Sequence, residues 1–229
     1  MRRSLITFGL LLSTFIFFQL SCTSKLKIAQ NYPQSSTLDD TQKIELLETL
    51  SWEFPDINAS NVEKELQPFV LVKGESHPLT QFVAFDDEMH RNFRMHDLDF
   101  VPYWTVRSKP HIHVFFMEGY GWKAPVWSYI LFDSKAKTIL DIAFFHKGET
   151  RTYGGDISLD WYQDQYTGAK LASDGKLNFM ENPAREVYTF GGTKIDGTSG
   201  STVTNDGIQN MFNNMLKNYK SLIISSEKK

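Results

Sequence analysis

The most regular pattern of apolar and polar residues lies near the C-terminus. Apolar residues there recur at intervals of three and four, which predicts one face of an amphipathic helix. The positions are Ile208, Met211, Phe212, Met215, Leu216 and Tyr219. Short side-chain oxygens accept hydrogen bonds from the unpaired N–H groups of a first helical turn. We therefore expect Asp206 or Thr204 to cap the start of this helix.

Shorter apolar runs in the centre of the chain predict strands that are joined by polar turns. They cover residues 69–72, 104–107, 111–116, 128–132, 138–146 and 187–190. Helical spacing is found at residues 41–50, with Asp39 or Thr41 as the cap, and at residues 61–68, where Pro68 ends the helix. Because strands follow one another without a repeating βαβ pattern, we predict an α+β domain, an antiparallel meander with flanking helices.

The first segment predicts a membrane anchor. Arg2 and Arg3 precede a mostly apolar run over residues 5–20, and basic residues before such a run keep the N-terminus in the cytoplasm. The run fits either a transmembrane helix or a lipoprotein signal with lipid on Cys22. We expect an anchor over residues 1–25, a linker over 26–40 and a domain over 41–229. This arrangement places the bulk of the chain on the extracytoplasmic side of the inner membrane.

Composition narrows the classes of function. The chain has 229 residues, of which 41% are hydrophobic, and this is enough for one domain with its own core. A net charge of -3 argues against a nucleic-acid partner, which would need a basic surface. Cys22 is the single cysteine, so an intramolecular disulfide is excluded.

Four histidines raise the question of a metal site: His90, His96, His111 and His113. The last two lie two positions apart and share one face of a predicted strand. Without a nearby carboxylate or cysteine, such a pair is a weak signal for a metal. We favour a solvated strand face and expect no metal.

Residues 196–207, just before the C-terminal helix, are rich in glycine and hydroxyl side chains. A helix start of this kind suits a phosphate group, because free N–H groups converge there and the helix dipole favours negative charge. Gly200 leaves room for a group to approach the backbone. On composition alone, however, a plain loop that caps the helix is the favoured alternative.

Part of this segment resembles the flavinylation motif of the FMN-binding domain family, Ser/Thr-Gly-Ala-Thr followed by small or hydroxyl residues. The matching residues are Ser199, Gly200, Ser201, Thr202, Val203 and Thr204. In that family the threonine carries FMN through a phosphoester, and a Mg-dependent flavin transferase attaches it from FAD. The resemblance implies that Thr202 is the acceptor. The hydroxyls of Ser201, which replaces the usual alanine, Thr198 and Thr204 are alternative acceptors.

A second resemblance lies upstream, where flavin-binding members carry a Gly-Lys-Gly-Leu-Trp turn, two strands and then Glu-Thr-Pro-Gly-Leu-Gly. This chain keeps the glycine spacing into Trp122, and after the two strands it keeps Glu149, Thr150 and Gly155. It has Arg-Thr-Tyr-Gly at 151–154 instead of Pro-Gly-Leu. In the family this loop borders the flavin ring, so the resemblance implies ring contacts from these residues and from Tyr153, whose ring is shaped to stack on a flavin.

The resemblance implies an electron-transfer subunit with covalent FMN in a membrane NADH:quinone oxidoreductase that translocates sodium. Its partners would be the other subunits, the flavin transferase and the membrane, and the anchor would be an uncleaved helix. One alternative is an Rnf-type or stand-alone flavinylated carrier. Another is a non-redox, membrane-tethered binding lipoprotein whose flavin site has decayed, because the loop at 151–154 departs from the family pattern.

Overall fold

A computed structural model of the chain describes residues 34–35, 37–95, 98, 100–170, 187–190 and 193–224. The predicted anchor, Cys22, most of the linker and His96 lie outside these residues. None of the helices in the described part is both long enough and apolar enough to cross a membrane.

The centre of the fold is a six-stranded antiparallel sheet in the order β3-β2-β5-β6-β7-β8, and two short hairpins pair β1 with β4 and β9 with β10. The strands are β1 Gln34–Ser35, β2 Leu66–Val72, β3 Glu75–Pro78, β4 Phe82–Val83, β5 Val101–Val106, β6 Lys109–Tyr120, β7 Pro125–Asp133, β8 Thr138–His146, β9 Val187–Phe190 and β10 Thr193–Asp196. The long strands β6, β7 and β8 form the predicted meander.

Helices cover both faces of the sheet. They are α1 Asp40–Leu50, α2 Val62–Glu65, α3 Asp87–Met95, α4 Asp160–Gln163 and α5 Thr202–Ile224, with 3-10 turns at Gly154–Ser158 and Asp164–Tyr166. On one face, Tyr219 of α5 stacks on Phe115 of β6 with ring centroids 4.2 Å apart. On the other face, Phe93 of α3 meets the next residue of β6, Phe116, edge to face. Successive strand residues point to opposite faces, so β6 is buried on both sides and is apolar almost throughout.

Helix α5 approaches the sheet most closely at its N-terminal end. A Cβ atom built on Gly207 would lie 2.0 Å from the carbonyl oxygen of Tyr120, at the end of β6. Only glycine permits this approach, since a carbon atom cannot come so near an oxygen. The contact sets the first turns of α5 beside the β6–β7 turn, where the candidate site forms.

The predicted α+β class and the antiparallel meander with flanking helices are confirmed. The cap of α1 is also confirmed at Asp39, which accepts from the N–H of Gln42 at 2.8 Å. The prediction of a helix over residues 61–68 is wrong, because helix α2 ends at Glu65 and Pro68 lies inside β2. Pro68 fits there because its carbonyl still accepts from Leu79 N–H at 2.9 Å.

The prediction of a solvated face at His111 and His113 is wrong for the second residue. His113 is buried, and its ring stacks on Phe115. Burial is the main reason why the pKa of His113 falls to about 4; His111 lowers it further, and Asp133 opposes the shift. The sheet is covered on both faces at this point, which alternation along one strand does not reveal.

Candidate functional site

Glu149, in the loop after β8, is the hub of the site. Its Oε1 accepts from the backbone N–H groups of Lys123 at 2.7 Å and Ala124 at 3.1 Å, in the β6–β7 turn. Its Oε2 accepts from the hydroxyl of Thr204 in the first turn of α5 at 2.9 Å. Thr204 in turn accepts from the N–H of Trp122 at 3.3 Å. One buried carboxylate therefore joins the turn, the loop and the helix.

These hydrogen bonds decide the charge of Glu149. Burial by itself raises the pKa of this carboxyl, and it is the largest single influence. Donation from Lys123 N–H, the Thr204 hydroxyl and the N–H groups of Ala124 and Trp122 together outweigh burial, so the pKa lies below its ordinary value. Glu149 is therefore ionised and holds its donors as a fixed negative charge.

Helix α5 begins at Thr202, six residues earlier than the apolar pattern at Ile208 suggests. The expectation that Thr204 or Asp206 caps the helix is wrong, since both lie within it. The carbonyl of Ser201 accepts the first helical hydrogen bond, from Asn205 N–H at 2.9 Å. Polar side chains in this first turn satisfy tertiary partners instead, and so they do not break the helix.

Asn205 holds the preceding loop against the helix. Its Oδ1 accepts from both the N–H and the hydroxyl of Thr198 at 3.2 Å, and its Nδ2 donates to the Thr198 carbonyl at 3.1 Å. Both residues are buried. This pair fixes the position of the Ser-Gly-Ser segment that enters α5.

The hydroxyls near the start of α5 differ in accessibility. Thr198, Ser201 and Thr204 are buried, at 1%, 6% and 0% exposure. Thr202 is exposed and lines the cleft described below. Ser199 is exposed too, but it does not line that cleft.

The loop with the altered sequence lies beside the helix start. Gly155 N–H and Tyr153 N–H both donate to the Thr150 carbonyl, at 3.0 and 3.1 Å, which makes a tight turn. The Tyr153 ring lies against Gly200, where an added Cβ would come within 3.3 Å of the ring carbons. Gly200 also has φ +68, a left-handed conformation that favours glycine. Tyr153 itself remains half exposed.

The turn, the loop and the helix start enclose a cleft of about 560 Å³, a size typical of small-molecule sites. Nine of the eleven sequence-predicted site residues line it: Trp122, Glu149, Thr150, Tyr153, Gly200, Ser201, Thr202, Val203 and Thr204. The other two, Ser199 and Gly155, adjoin it in sequence but are not part of the lining. Trp122 stands at the rim with 69% of its surface exposed.

Sequence reasoning missed two residues of the lining and one behind it. Lys123 lines the cleft, and its ammonium group donates to the Thr150 hydroxyl at 2.7 Å. Gly154 lines it as well, and an added Cβ there would lie 2.4 Å from both Glu149 Oε2 and Thr204 Oγ1. Asn205, behind the lining, has no pattern in the sequence that separates it from an ordinary polar helix residue. The position of Lys123, next to Trp122 in a turn, was a signal for the first.

Comparison with known proteins agrees with this geometry. Residues 121–217 match the model of the FMN-binding domain family, and this range contains the whole lining of the cleft. The chain is 30% identical over 127 residues to NqrC of Chlamydia caviae, a subunit of the Na(+)-translocating NADH-quinone reductase, which covers 49% of this chain and 40% of that protein. NqrC of Yersinia pestis is 29% identical over 100 residues, which covers 42% of this chain and 36% of that protein. The chain thus matches about two fifths of the length of these relatives.

Two crystal structures share the fold. NqrC from Parabacteroides distasonis aligns with a TM-score of 0.62 and 22% identity, over 80% of this chain and 91% of that one. Shewanella oneidensis NqrC aligns with a TM-score of 0.64 and 16% identity, over 83% and 98%. The resemblance of this chain to the FMN-binding domain family, and within it to the NqrC proteins of the Na(+)-translocating NADH-quinone reductase, is therefore confirmed.

Proposed function

We propose that this chain is an electron-transfer subunit that carries FMN through a phosphoester to Thr202. The exposure of Thr202 carries the proposal: this hydroxyl lines the cleft, while Thr198, Ser201 and Thr204 are buried. A transferase must reach the oxygen that it modifies, and the buried hydroxyls are already engaged with Asn205, the Ser199 carbonyl and Glu149.

The residues of the cleft fit FMN. The phosphate would lie at the start of a 23-residue helix, where the unpaired N–H groups and the helix dipole favour negative charge. The Lys123 ammonium adds a positive charge on the opposite wall. Trp122 and Tyr153 offer exposed aromatic faces for a flat ring system.

When bound, FMN supplies the electron-transfer chemistry. The chain does the rest: Thr202 anchors the cofactor, Glu149 keeps the turn, the loop and the helix start together, and the two aromatic side chains shield the ring. A covalent anchor keeps the cofactor in place outside the cytoplasm, where free FMN would diffuse away. The cleft is open to solvent at Trp122, so an electron partner has access to its edge.

The relatives are named as subunits of a sodium-translocating NADH-quinone reductase, and we assign the chain to a complex of that type. Its partners would then be the other subunits of the complex and, during maturation, a flavin transferase. Residues 1–25 would tether it to the inner membrane as a transmembrane helix, with the domain on the extracytoplasmic side.

The direct test is flavinylation in a host that exports the protein and co-expresses a flavin transferase. We expect the parent to run as a fluorescent band on a denaturing gel, and Thr202→Ala to run dark. Ser201→Ala is the matched control, because it removes the neighbouring hydroxyl and keeps the backbone carbonyl that starts α5; it should stay fluorescent. A fluorescent Thr202→Ala protein, or a dark parent beside an active transferase, would contradict the proposal.

A further inference from the structure

A second cleft, of about 680 Å³, lies on the other face of the sheet from α5. Gly119 of β6 packs against Met211 of α5, so its neighbour Glu118 points to the opposite face, into this second cleft. The starts of α1 and α3 form its rim, and β6 and β7 form its floor. The proposed function uses none of its residues.

Carboxylates outnumber fixed cations around this second cleft. Six carboxylates line it against the two cations Arg94 and Lys147: Asp39, Asp40, Glu45, Asp86, Asp87 and Glu118. Glu118 is deeply buried but well paired, since it accepts from His90 Nδ1 at 2.7 Å and from Arg94 Nη1. The excess negative charge is therefore carried by Glu45 and the aspartates at the rim.

Glu45 is the carboxylate whose position is hardest to explain by folding alone. It is 8% exposed, and its side chain accepts a hydrogen bond from Trp127 Nε1 at 3.0 Å. Burial raises the pKa of Glu45 to about 7, although the Trp127 hydrogen bond and the nearby His90 pull it down. A buried carboxylate needs several donors or an opposite charge to remain ionised, and a cation in the cleft would provide that charge.

The same cleft contains donors without acceptors. Gln42 is 5% exposed, and within the described residues its Nε2 has no hydrogen-bond partner. In that part of the chain Nε of Arg94 is likewise buried and unpartnered. Unpaired buried donors are rare because they lose their hydration without compensation. Both donors belong to side chains that line the cleft, so an oxygen atom of a bound molecule would satisfy them.

Aromatic residues complete the wall: Phe85, Trp127 and Tyr129 line the cleft beside these groups. Aromatic faces attract organic cations, and a planar guanidinium also stacks on them. We propose that the second cleft binds a small organic cation that carries an oxygen acceptor, with a guanidinium or ammonium group beside Glu45 and a carboxylate or hydroxyl towards Gln42 and Arg94. This inference does not depend on the flavin.

Three probes of nearly equal size test it on the full chain. L-arginine has the cation and the carboxylate, L-citrulline is its neutral isostere, and agmatine keeps the cation but lacks the carboxylate. The readout is the indole N–H resonance of Trp127, assigned by its loss in Trp127→Phe. We expect a saturable shift with arginine, at least about tenfold weaker binding of citrulline, and a smaller loss for agmatine.

Glu45→Gln keeps an acceptor for Trp127 and should weaken arginine binding about tenfold or more. Glu48→Gln is the matched control, since it changes the same helix outside the cleft and should bind as the parent does. If Glu45→Gln fails to fold, Asp40→Asn at the exposed rim replaces it, with a smaller expected loss. Equal binding of arginine and citrulline, no saturation with arginine up to about 10 mM, or unchanged binding by a folded Glu45→Gln would overturn the proposal. Saturation by an arginine-containing tripeptide, but not by arginine, would assign the cleft to a protein partner and also overturn it.

Discussion

Thr204 donates its hydroxyl hydrogen to Oε2 of Glu149 across 2.9 Å, although the two residues are 55 positions apart. This bond links the first turn of α5 to the loop after β8. The other oxygen of Glu149 accepts from the β6–β7 turn. All three segments that enclose the candidate flavin cleft thus meet at one carboxylate, and the cleft keeps its shape only if that carboxylate stays paired.

The first prediction concerns this bond. Thr204→Val preserves the shape of the side chain but removes the hydroxyl, which leaves Glu149 one donor short. We expect the free energy of unfolding to fall by about 1–3 kcal/mol, the cost of an unsatisfied buried partner. Denaturant unfolding measures it. The control is Thr202→Val, the same change at an exposed position two residues away, which should alter stability by less than about 0.5 kcal/mol. Equal effects of the two variants would show that the bond does not hold the cleft together.

The second prediction concerns the approach of α5 to the sheet. Alanine normally stabilises a helix relative to glycine by about 1 kcal/mol. At Gly207 the added Cβ would lie 2.0 Å from the Tyr120 carbonyl, so Gly207→Ala should instead lower the free energy of unfolding by about 1–3 kcal/mol or more. Asn210→Ala, at an exposed position of the same helix, should be neutral or slightly stabilising. A stabilised Gly207→Ala protein would mean that the helix does not pack as described.

Much of this fold could be predicted because its signals are local. The apolar spacing of α5, from Ile208 to Tyr219, matches the buried face of the helix. The strand predicted over residues 138–146 coincides with β8, and the cap at Asp39 is where the sequence predicted it. Each of these depends on residues close together in the sequence, where periodicity and capping chemistry act.

The remainder depends on tertiary contacts that leave no local pattern. The first turn of α5 contains Thr204 and Asn205, which are typical of caps and turns, and only their partners Glu149 and Thr198 explain why the helix includes them. The burial of His113 likewise depends on α5 covering the sheet. The candidate site was found through the family motif, because nothing in the residues alone showed that residues 122, 149 and 204 would meet.

The third prediction concerns pH and His113. The folded protein has a pKa of about 4 at this residue, below the ordinary value of about 6.5 in an unfolded chain. As pH falls from about 6.5 towards 4, the unfolded state takes up a proton that the folded state does not, so stability is lost over this window, by roughly 3 kcal/mol. In His113→Phe, which keeps an aromatic ring on Phe115, the free energy of unfolding should fall less between pH 7 and pH 4. Parallel pH profiles for the two proteins would contradict this account of His113.

The fourth prediction concerns Tyr153 and depends on the proposed function. Its ring packs on Gly200 at the cleft and is shaped to stack on a flavin, a contact worth about 0.5–1.5 kcal/mol. Tyr153→Ala should still be flavinylated, because attachment depends on Thr202, but its flavin should fluoresce more brightly and have a shifted potential. Trp161→Ala, an exposed aromatic outside the cleft, is the control and should match the parent. If Tyr153→Ala matches the parent as well, the ring lies elsewhere, and Trp122 becomes the next residue to change.

The central claim is that Thr202 carries FMN, and peptide mapping tests it most directly. The protein, co-expressed with a flavin transferase, is digested, and the peptide that contains residues 199–204 is fragmented in a mass spectrometer. The account predicts an FMN phosphoester whose fragments assign it to Thr202 and to none of the neighbouring hydroxyls. An FMN group on Ser199, Ser201 or Thr204, or an unmodified peptide from a protein made beside an active transferase, would contradict it.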